Sequence, residues 1–399
     1  MWEKQVDIHN VVEIRAKTTI YFGVGAIHKI ADIAANLAKQ GIKKTIIITG
    51  KSSHVKTGAW KVAEKALVEQ GLAFSTFNKV TPNPTTDQVD EAVRQGREFG
   101  AEAVIAIGGG SPIDAGKSVA VLLSYPDKTA RDLYEFKFSP EKAAPIIAVN
   151  LTHGTGTEAD RFAVVTIPDK NYKPAIAYDC LYPLYSIDDP ALMTMLPPEQ
   201  TVYVSVDAVN HVLEAATTTD ANPFAISLAK EVVRLVHDYL PSASKNPDDL
   251  TARYFLLYAS MLAGISFDNG LLHFTHALEH PLSAVKPELT HGLGLAMLLP
   301  SVIKQIFPAK AGILAEILSP IVPGLTGSKD EGQQAYYGLK KWLREIGIDK
   351  SLADEGFAEN DLDKLTELVF ETPSLQLLLS VAPIPGTKET VREIYKNSL

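Results

Sequence analysis

One cysteine, Cys180, is all the thiol chemistry in this 399-residue sequence. A lone cysteine excludes an intramolecular disulfide and any cysteine-rich zinc cage, and it reads as a buried, inert thiol. Lysine and arginine form no blocks, and acidic residues outnumber them 47 to 38, for a net charge of −9. Nucleic acid and anionic membrane both require a basic footprint, so neither is an expected partner. The first residues, Met1-Trp2-Glu3-Lys4-Gln5-Val6-Asp7, lack the apolar stretch of a secretory signal. Nor does an apolar run approach the roughly 18 residues of a membrane span. From these absences a cytoplasmic location is expected.

What is present is ample apolar material, 46% of residues, in a chain longer than one hydrophobic core usually serves. Two domains are therefore expected. In the first half, β-branched runs at Thr19–Phe22, Lys44–Thr49, Ala73–Asn78, Ala103–Ile107 and Pro145–Val149 read as strands. Amphipathic stretches at Ile27–Lys39, Ala59–Gln70, Thr86–Phe99 and Asp114–Leu123 alternate with them. Strands apolar enough for burial on both faces, alternating with helices, predict a doubly wound parallel sheet. The texture changes near Leu196-Pro197-Pro198. Beyond it the periodicity is helical at 201–218, 223–240, 249–267, 270–283, 292–305, 309–318, 331–346, 360–369 and 388–398. The expected domains are 1–195, α/β, and 196–399, all helical. Ser319–Gly327 reads as a loop between helices.

Three turns of the first half have the chemistry of a nucleotide cleft. Gly108-Gly109-Gly110-Ser111-Pro112-Ile113-Asp114 runs from a buried strand into a helix, with Ser111 as expected N-cap and Pro112 at the first helical position. Three glycines allow close backbone approach to a phosphate, and free N–H groups at a helix start favour an anion. A second loop, Thr152-His153-Gly154-Thr155-Gly156-Thr157-Glu158, offers Thr152 and Thr155 at the nicotinamide end of a dinucleotide. The third, Gly50-Lys51-Ser52-Ser53, stands where nucleotide enzymes often place a carboxylate on the ribose hydroxyls. Donors and positive charge there suit a 2′-phosphate, so NADP is favoured over NAD.

Histidines cluster in the helical half. Asp207 and His211 are four residues apart, as are His276 and His280, and His291 opens a His-Gly turn before another apolar helix. On a helix, residues four apart share a face about 5–6 Å apart at Cβ, a separation two ligands of one ion require. Imidazoles with a carboxylate suit Fe(II) or Zn(II). Spacing alone leaves two readings open, ligation or polar residues satisfied on a helix face. Glu214 and His273 fall on similar faces and read as supporting or solvated groups. His9, His28, His54 and His237 are expected at the surface.

With these motifs the sequence resembles the iron-containing (group III) alcohol dehydrogenase family over nearly its whole length. The matching stretches are Phe22-Gly23-Val24-Gly25, Gly108 through Asp114, Gly154-Thr155-Gly156-Thr157-Glu158, Asp189-Pro190, Asp207-x3-His211, His276-x3-His280-Pro281-Leu282 and His291-Gly292. The resemblance implies a Rossmann-like N-terminal domain, an all-helical metal-binding domain and a cleft between them, the dehydroquinate synthase-like fold. It implies Asp207, His211, His276 and His291 as ligands of Fe(II), with Zn(II) the alternative. His280 is implied as a non-ligand histidine beside nicotinamide and substrate, and Asp114 as an aid to placing the cofactor. Gly50, where NAD-preferring relatives have Asp, again points to NADP(H). Phe162, Val164, Phe267 and Leu272 are implied as the substrate wall, with His153 beside the nicotinamide. An apolar wall suits a small alcohol and its aldehyde. His153 and Arg161 suggest an alternative, an aldehyde with a carboxylate or sulfonate tail, unless Arg161 is tied to Asp160 or Glu158. A polyol substrate is a second alternative within the family. A cyclising phosphate lyase of the same fold, or a noncatalytic nucleotide-binding protein, would be a different class. The departures from the family pattern, Asn150-Leu151-Thr152, His153 and Ser205 among them, fall around the pocket and not on the ligands. Family members are often homodimers, so a homodimer is expected.

Overall fold

The structure is a computed structural model that describes residues 2–5 and 9–399; part of the leading segment Met1–Asp7 therefore lies outside the described residues. The expected strands form as β1 Thr19–Phe22, β2 Lys44–Gly50, β3 Ala73–Val80, β4 Ala103–Gly108 and β5 Ile146–Asn150. Three more follow: β6 Phe162–Val164, β7 Ala175–Ala177 and β8 Tyr185–Asp188. Among the described residues, six strands make one parallel sheet in the order β1-β8-β5-β4-β2-β3, and β6 pairs antiparallel with β7.

The period of two along each strand explains why the sheet is covered twice. Ile46, Ile48, Val104 and Ile146 face helices Thr86–Phe99 and Gly110–Leu123. Ile47, Ile105, Ile147 and Val149 face helices Ile30–Lys39 and Ala59–Glu69. Thr85 caps the helix Thr86–Phe99 by accepting from Gln88 N–H, and Gly100 ends it with φ 77°, so that helix starts and stops where sequence signals place it. Chain order reverses between β2 and β4, since β3 lies on one side of β2 and β4 on the other. At such a switch point the carboxyl ends of neighbouring strands open a crevice. Here those ends are Gly50 and Gly108.

From Pro198 onward the chain is helical: Pro198–Ala215, Pro223–Lys245, Leu250–Gly270, Phe274–Val285, His291–Leu318, Gly332–Glu345, Leu362–Glu371, Leu375–Ser380 and Lys388–Asn397. These helices bury a core of their own, around Val209, Leu256, Leu278, Leu298 and Leu339. The two stretches expected at 292–305 and 309–318 are one element, broken at Lys310 (φ −129°, ψ 25°) two residues after Pro308. Leu250–Gly270 and His291–Leu318 are, against expectation, long and apolar enough by composition to cross a membrane. Most of that surface is packed inside the protein, 61% and 78% of the respective windows, which accounts for its apolarity as core. Cys180 is half-buried, with its thiol against the Pro140 carbonyl, and burial pushes it up to about 11.

Candidate metal centre and nucleotide cleft

The three turns read from the sequence lie at the carboxyl ends of β2, β4 and β5, three adjacent strands. Gly108 is pressed against Pro112, whose Cγ would stand 2.4 Å from an added Cβ. The helix begins at Gly110 with Gly109 as N-cap and no side-chain cap, so Ser111 and Pro112 sit inside the first turn, not at the cap and first position. Gly109 and Gly110 face Thr152 and Thr155 so closely that a Cβ on either would meet a threonine side chain under 3 Å. The glycine loop and the hydroxyl loop therefore pack on each other across the cleft floor. Asp114 is committed to protein: its carboxylate accepts from Thr157 Oγ1 (2.7 Å) and Val164 N–H (3.0 Å). It reaches the cleft through the loop it pins. Burial raises Asp114 to about 6 against the pull of Lys117.

The histidine site assembles from three helices. Asp207 and His211 lie one turn apart on Pro198–Ala215, His276 and His280 one turn apart on Phe274–Val285, and His291 opens His291–Leu318. Helix Leu250–Gly270 ends in Leu271, a non-glycine residue at φ 62°, and that sharp turn lets the chain re-enter at Phe274 beside its predecessor. Gly292 makes the third approach possible, because a Cβ there would lie 2.1 Å from the Tyr203 carbonyl. Asp207 Oδ1 is 3.5 Å from His211 Nδ1, 3.6 Å from His276 Nε2 and 3.9 Å from His291 Nε2. Asp207, His276 and His291 place one ligand atom each within 4.8 Å of the others. Ligands about 2.0–2.2 Å from a shared ion stand roughly 3–3.5 Å apart, so this cage is close to the required size. Asp207 Oδ1, His211 Nδ1 and His276 Nε2 are buried without a hydrogen-bond partner. Buried polar atoms without partners are costly, and the cluster of Asp207, His276 and His291 fits a divalent ion, with His211 beside Asp207 but outside that group.

Charge in the cage agrees with geometry. Burial alone would raise Asp207, but His211 first, with His276 and His291, holds it near 2. Burial works against a charged His276, yet Glu214 and Asp207 outweigh it and lift the ring to about 9. A site that favours a proton on that imidazole favours positive charge generally. Behind the ligands stand two carboxylates. Glu214 accepts from His276 Nδ1 and from the Thr275 and His276 N–H groups, with His273 Nδ1 3.3 Å away. Glu214 is thus a supporting group, and His273 is buried, with Nδ1 accepting from Phe274 N–H at 2.7 Å and Nε2 paired with Thr217 Oγ1; neither is solvated. Glu279 accepts from His291 Nδ1, and Lys173 Nζ lies 3.4 Å from the same carboxylate. Neither Glu279 nor Lys173 was singled out from the sequence. Glu279 carried a usable signal, one turn from His276 on the ligand helix; Lys173, in the other half of the chain, carried none.

Beside the cage His280 is buried with Nδ1 unpartnered, 5.9 Å ring to ring from His291. Burial, and then Lys173, keeps it well below its ordinary value. Phe267 stacks on His211 at 4.6 Å, Phe162 leans on Phe267 at 5.2 Å, and Leu272 packs with both. These three make an apolar wall against the histidines, and Val164 stands outside that cluster with its N–H held by Asp114.

Three expectations need correction. His153 is not available as a charged group. It is buried, with Nε2 accepting from Arg253 Nη1 (3.1 Å) and Nδ1 3.4 Å from Ser205 Oγ; a fully buried guanidinium draws the ring into the helical half. Burial and Arg253 lower it to about 3, so it is neutral. Arg161 pairs with Asp268 (3.0 Å) and Asp179 (3.3 Å) and not with Asp160 or Glu158, because Lys117 claims Asp160 (3.0 Å). Neither His153 nor Arg161 is thus free to receive an anionic tail. His54 is buried edge-on to Trp60, not at the surface.

Residues 17–190 match the iron-containing alcohol dehydrogenase family model, and residues 201–399 match the C-terminal model of the Fe-containing alcohol dehydrogenases. The chain belongs to the iron-containing alcohol dehydrogenase family, and it is an oxidoreductase of the alcohol dehydrogenase class. It is 58% identical over 398 residues to the long-chain primary alcohol dehydrogenase AdhA of Thermoanaerobacter ethanolicus, each chain covered over 100% of its length. It is 30% identical over 381 residues to the NAD-dependent methanol dehydrogenase of Bacillus methanolicus, covering 94% of this chain and 97% of that one. The crystal structure of the NADH-dependent butanol dehydrogenase A of Thermotoga maritima superposes with TM-score 0.89 at 30% identity, over 98% of both chains.

Proposed function

We propose that this alcohol dehydrogenase is metal-dependent, holds Fe(II) or Zn(II) through Asp207, His211, His276 and His291, and uses NADP(H). The observation that carries the metal reading is the cluster of Asp207, His276 and His291 ligand atoms within 4.8 Å of one another, two of them, Asp207 Oδ1 and His276 Nε2, buried without a partner among the described residues; His211 is added by its 3.5 Å approach to Asp207. When bound, the ion would supply Lewis acidity at the substrate oxygen, and the nicotinamide would supply the hydride donor or acceptor. The chain's own residues do the rest. Glu214 and Glu279 accept hydrogen bonds from the Nδ1–H groups of His276 and His291, which leaves the Nε2 lone pairs facing the site. Phe162, Phe267 and Leu272 exclude water beside the ligands and receive the apolar part of the substrate. His280, neutral and with a free ring nitrogen, accepts the alcohol proton and passes it outward. The glycine loop at 108–111 takes the pyrophosphate at its helix start, with Thr152 and Thr155 lining the floor.

The substrate proposed is a primary alcohol with an uncharged chain, or its aldehyde. Support comes from the apolar wall, from the engaged states of Arg161 and His153, and from the AdhA relative, a long-chain primary alcohol dehydrogenase. For the coenzyme, two relatives at 30% identity are named for NAD or NADH. The NADP reading rests instead on this chain's Gly50-Lys51-Ser52-Ser53 turn, where no carboxylate opposes a 2′-phosphate. Metal analysis of protein purified without added metal, with kcat/KM for a primary-alcohol series using NAD and NADP, tests all three parts. Gly50→Asp is expected to lower the NADP-to-NAD preference by at least about tenfold, roughly 1.4 kcal/mol. An unchanged ratio would remove the 50–53 turn from coenzyme choice.

A further inference from the structure

Lys173 belongs to the sheet half, in the connection between β6 and β7, where the bridge of Ile167 with Tyr172 turns the chain back toward the helices. Its side chain is 6% exposed. The ammonium donates to Ser283 Oγ at 2.7 Å and lies 3.4 Å from Glu279 Oε2 and 3.5 Å from His291 Nδ1. Glu279 has a fully buried side chain and accepts from His291 Nδ1. An imidazole that donates through Nδ1 offers Nε2 as its lone pair, and here Nε2 is the atom facing Asp207.

Glu214 does the same for His276, but the two carboxylates are supported differently. Glu214 receives two backbone N–H groups besides the ring. Among the described residues Glu279 receives none, and its Oε1 has no partner. The Lys173 ammonium, itself anchored on Ser283, stands beside Oε2 in their place. Glu279, His280 and His291 also bring three ligand atoms within 4.8 Å of one another, and the ammonium at their edge supplies the positive charge that a second ion would otherwise bring. We propose that Lys173 is a positioning residue of the metal site: an internal cation, sent from the sheet half, whose pairing with Glu279 fixes that carboxylate and so keeps His291 turned with Nε2 toward the ion. This rests on the ligand assignment proposed above.

The test compares wild type, K173M, E279Q and K173M/E279Q, each loaded with Zn(II), by the rate of ion release to excess chelator, with circular dichroism as the check on folding. K173M is expected to release the ion about ten- to a hundredfold faster, the usual range for loss of a group supporting a ligand. The double variant removes both charges yet keeps an amide oxygen for His291 Nδ1–H, so it is expected to recover most of the wild-type retention. Equal retention in K173M and wild type would overturn the proposal. So would a double variant as leaky as K173M, because Lys173 would then only tie the hairpin to the helices. Should K173M not fold, E279Q carries the comparison: its unbalanced ammonium is expected to speed release by a similar factor, and wild-type retention there overturns the proposal. A wild type that binds no Zn(II) or Fe(II) takes down the ligand assignment itself, and this proposal with it.

Discussion

Asp207, Glu214 and Glu279 in the helical half are buried as deeply as Glu158, Asp160 and Asp188 in the sheet half, yet the two groups shift in opposite directions. Asp207 and Glu214 are held near 2, and Glu279 falls below the ordinary range, although burial opposes all three. Asp160 and Asp188 rise to about 7, and Glu158 rises well above its ordinary value, with burial as the first cause in each. The neighbours make the difference. Imidazoles and Lys173 surround the first group. In the second, Lys117 serves Asp160, but among the described residues both Glu158 oxygens lack a partner and Asp188 has only the Asn150 amide. Equal burial thus gives opposite shifts, and the group that keeps its charge is the one around the proposed ion.

The hardest break in that contrast is His276→Ala. It is expected to abolish ion retention and turnover together, lowering kcat by more than about a thousandfold; full activity in metal-free H276A would end the metal reading. His280→Ala should leave the ion bound while kcat drops by about a hundredfold, the usual scale of positioned acid–base catalysis. An unaltered pH–rate profile in H280A would take His280 out of the proton path.

Asp188→Asn sharpens the other side. The folded protein holds Asp188 at about 7 against an ordinary 3.8, so its contribution to stability is complete below 3.8 and is lost as pH rises through 7. The variant cannot lose it. Its unfolding free energy should therefore gain on wild type between about pH 4 and 7, by at most about 1.4 kcal/mol per pH unit, and level off above. Urea titrations at pH 5 and 8 that run parallel would show that Asp188 ionises freely and that the contrast is false. The smallest effect expected is at His153, held near 3 against an ordinary 6.5. Its contribution is present above 6.5 and declines as pH falls toward 3. His153→Asn should lose less Tm than wild type between pH 7 and 5, a range that samples only part of the window.

Much of this arrangement was legible beforehand because it is local. Helix Thr86–Phe99 has its cap, its periodicity and its terminal glycine within one stretch of chain, and β4 is a continuous run of six buried residues. β8 went unread because four residues, Tyr185-Ser186-Ile187-Asp188, follow a proline-broken stretch with too few apolar positions to show a period. Its place between β1 and β5 comes from sheet pairing alone. Ser111 was misplaced because Gly109 and Gly110 can both adopt the cap geometry, and packing on Thr152 and Thr155 selects between them.

Sequence by itself determined the alternation of strands and helices, the glycine turns at strand ends, and which helix faces carry Asp207, His211, His276 and His280. All of these follow from periodicity within one turn or one strand. Tertiary structure alone decided that His291 joins those helices, that Lys173 reaches Glu279 across 106 residues, and that His153 turns to Arg253 across 100. Such pairings depend on where whole helices come to rest, and the cost of burying a charge unpaired then favours the partner that comes within reach.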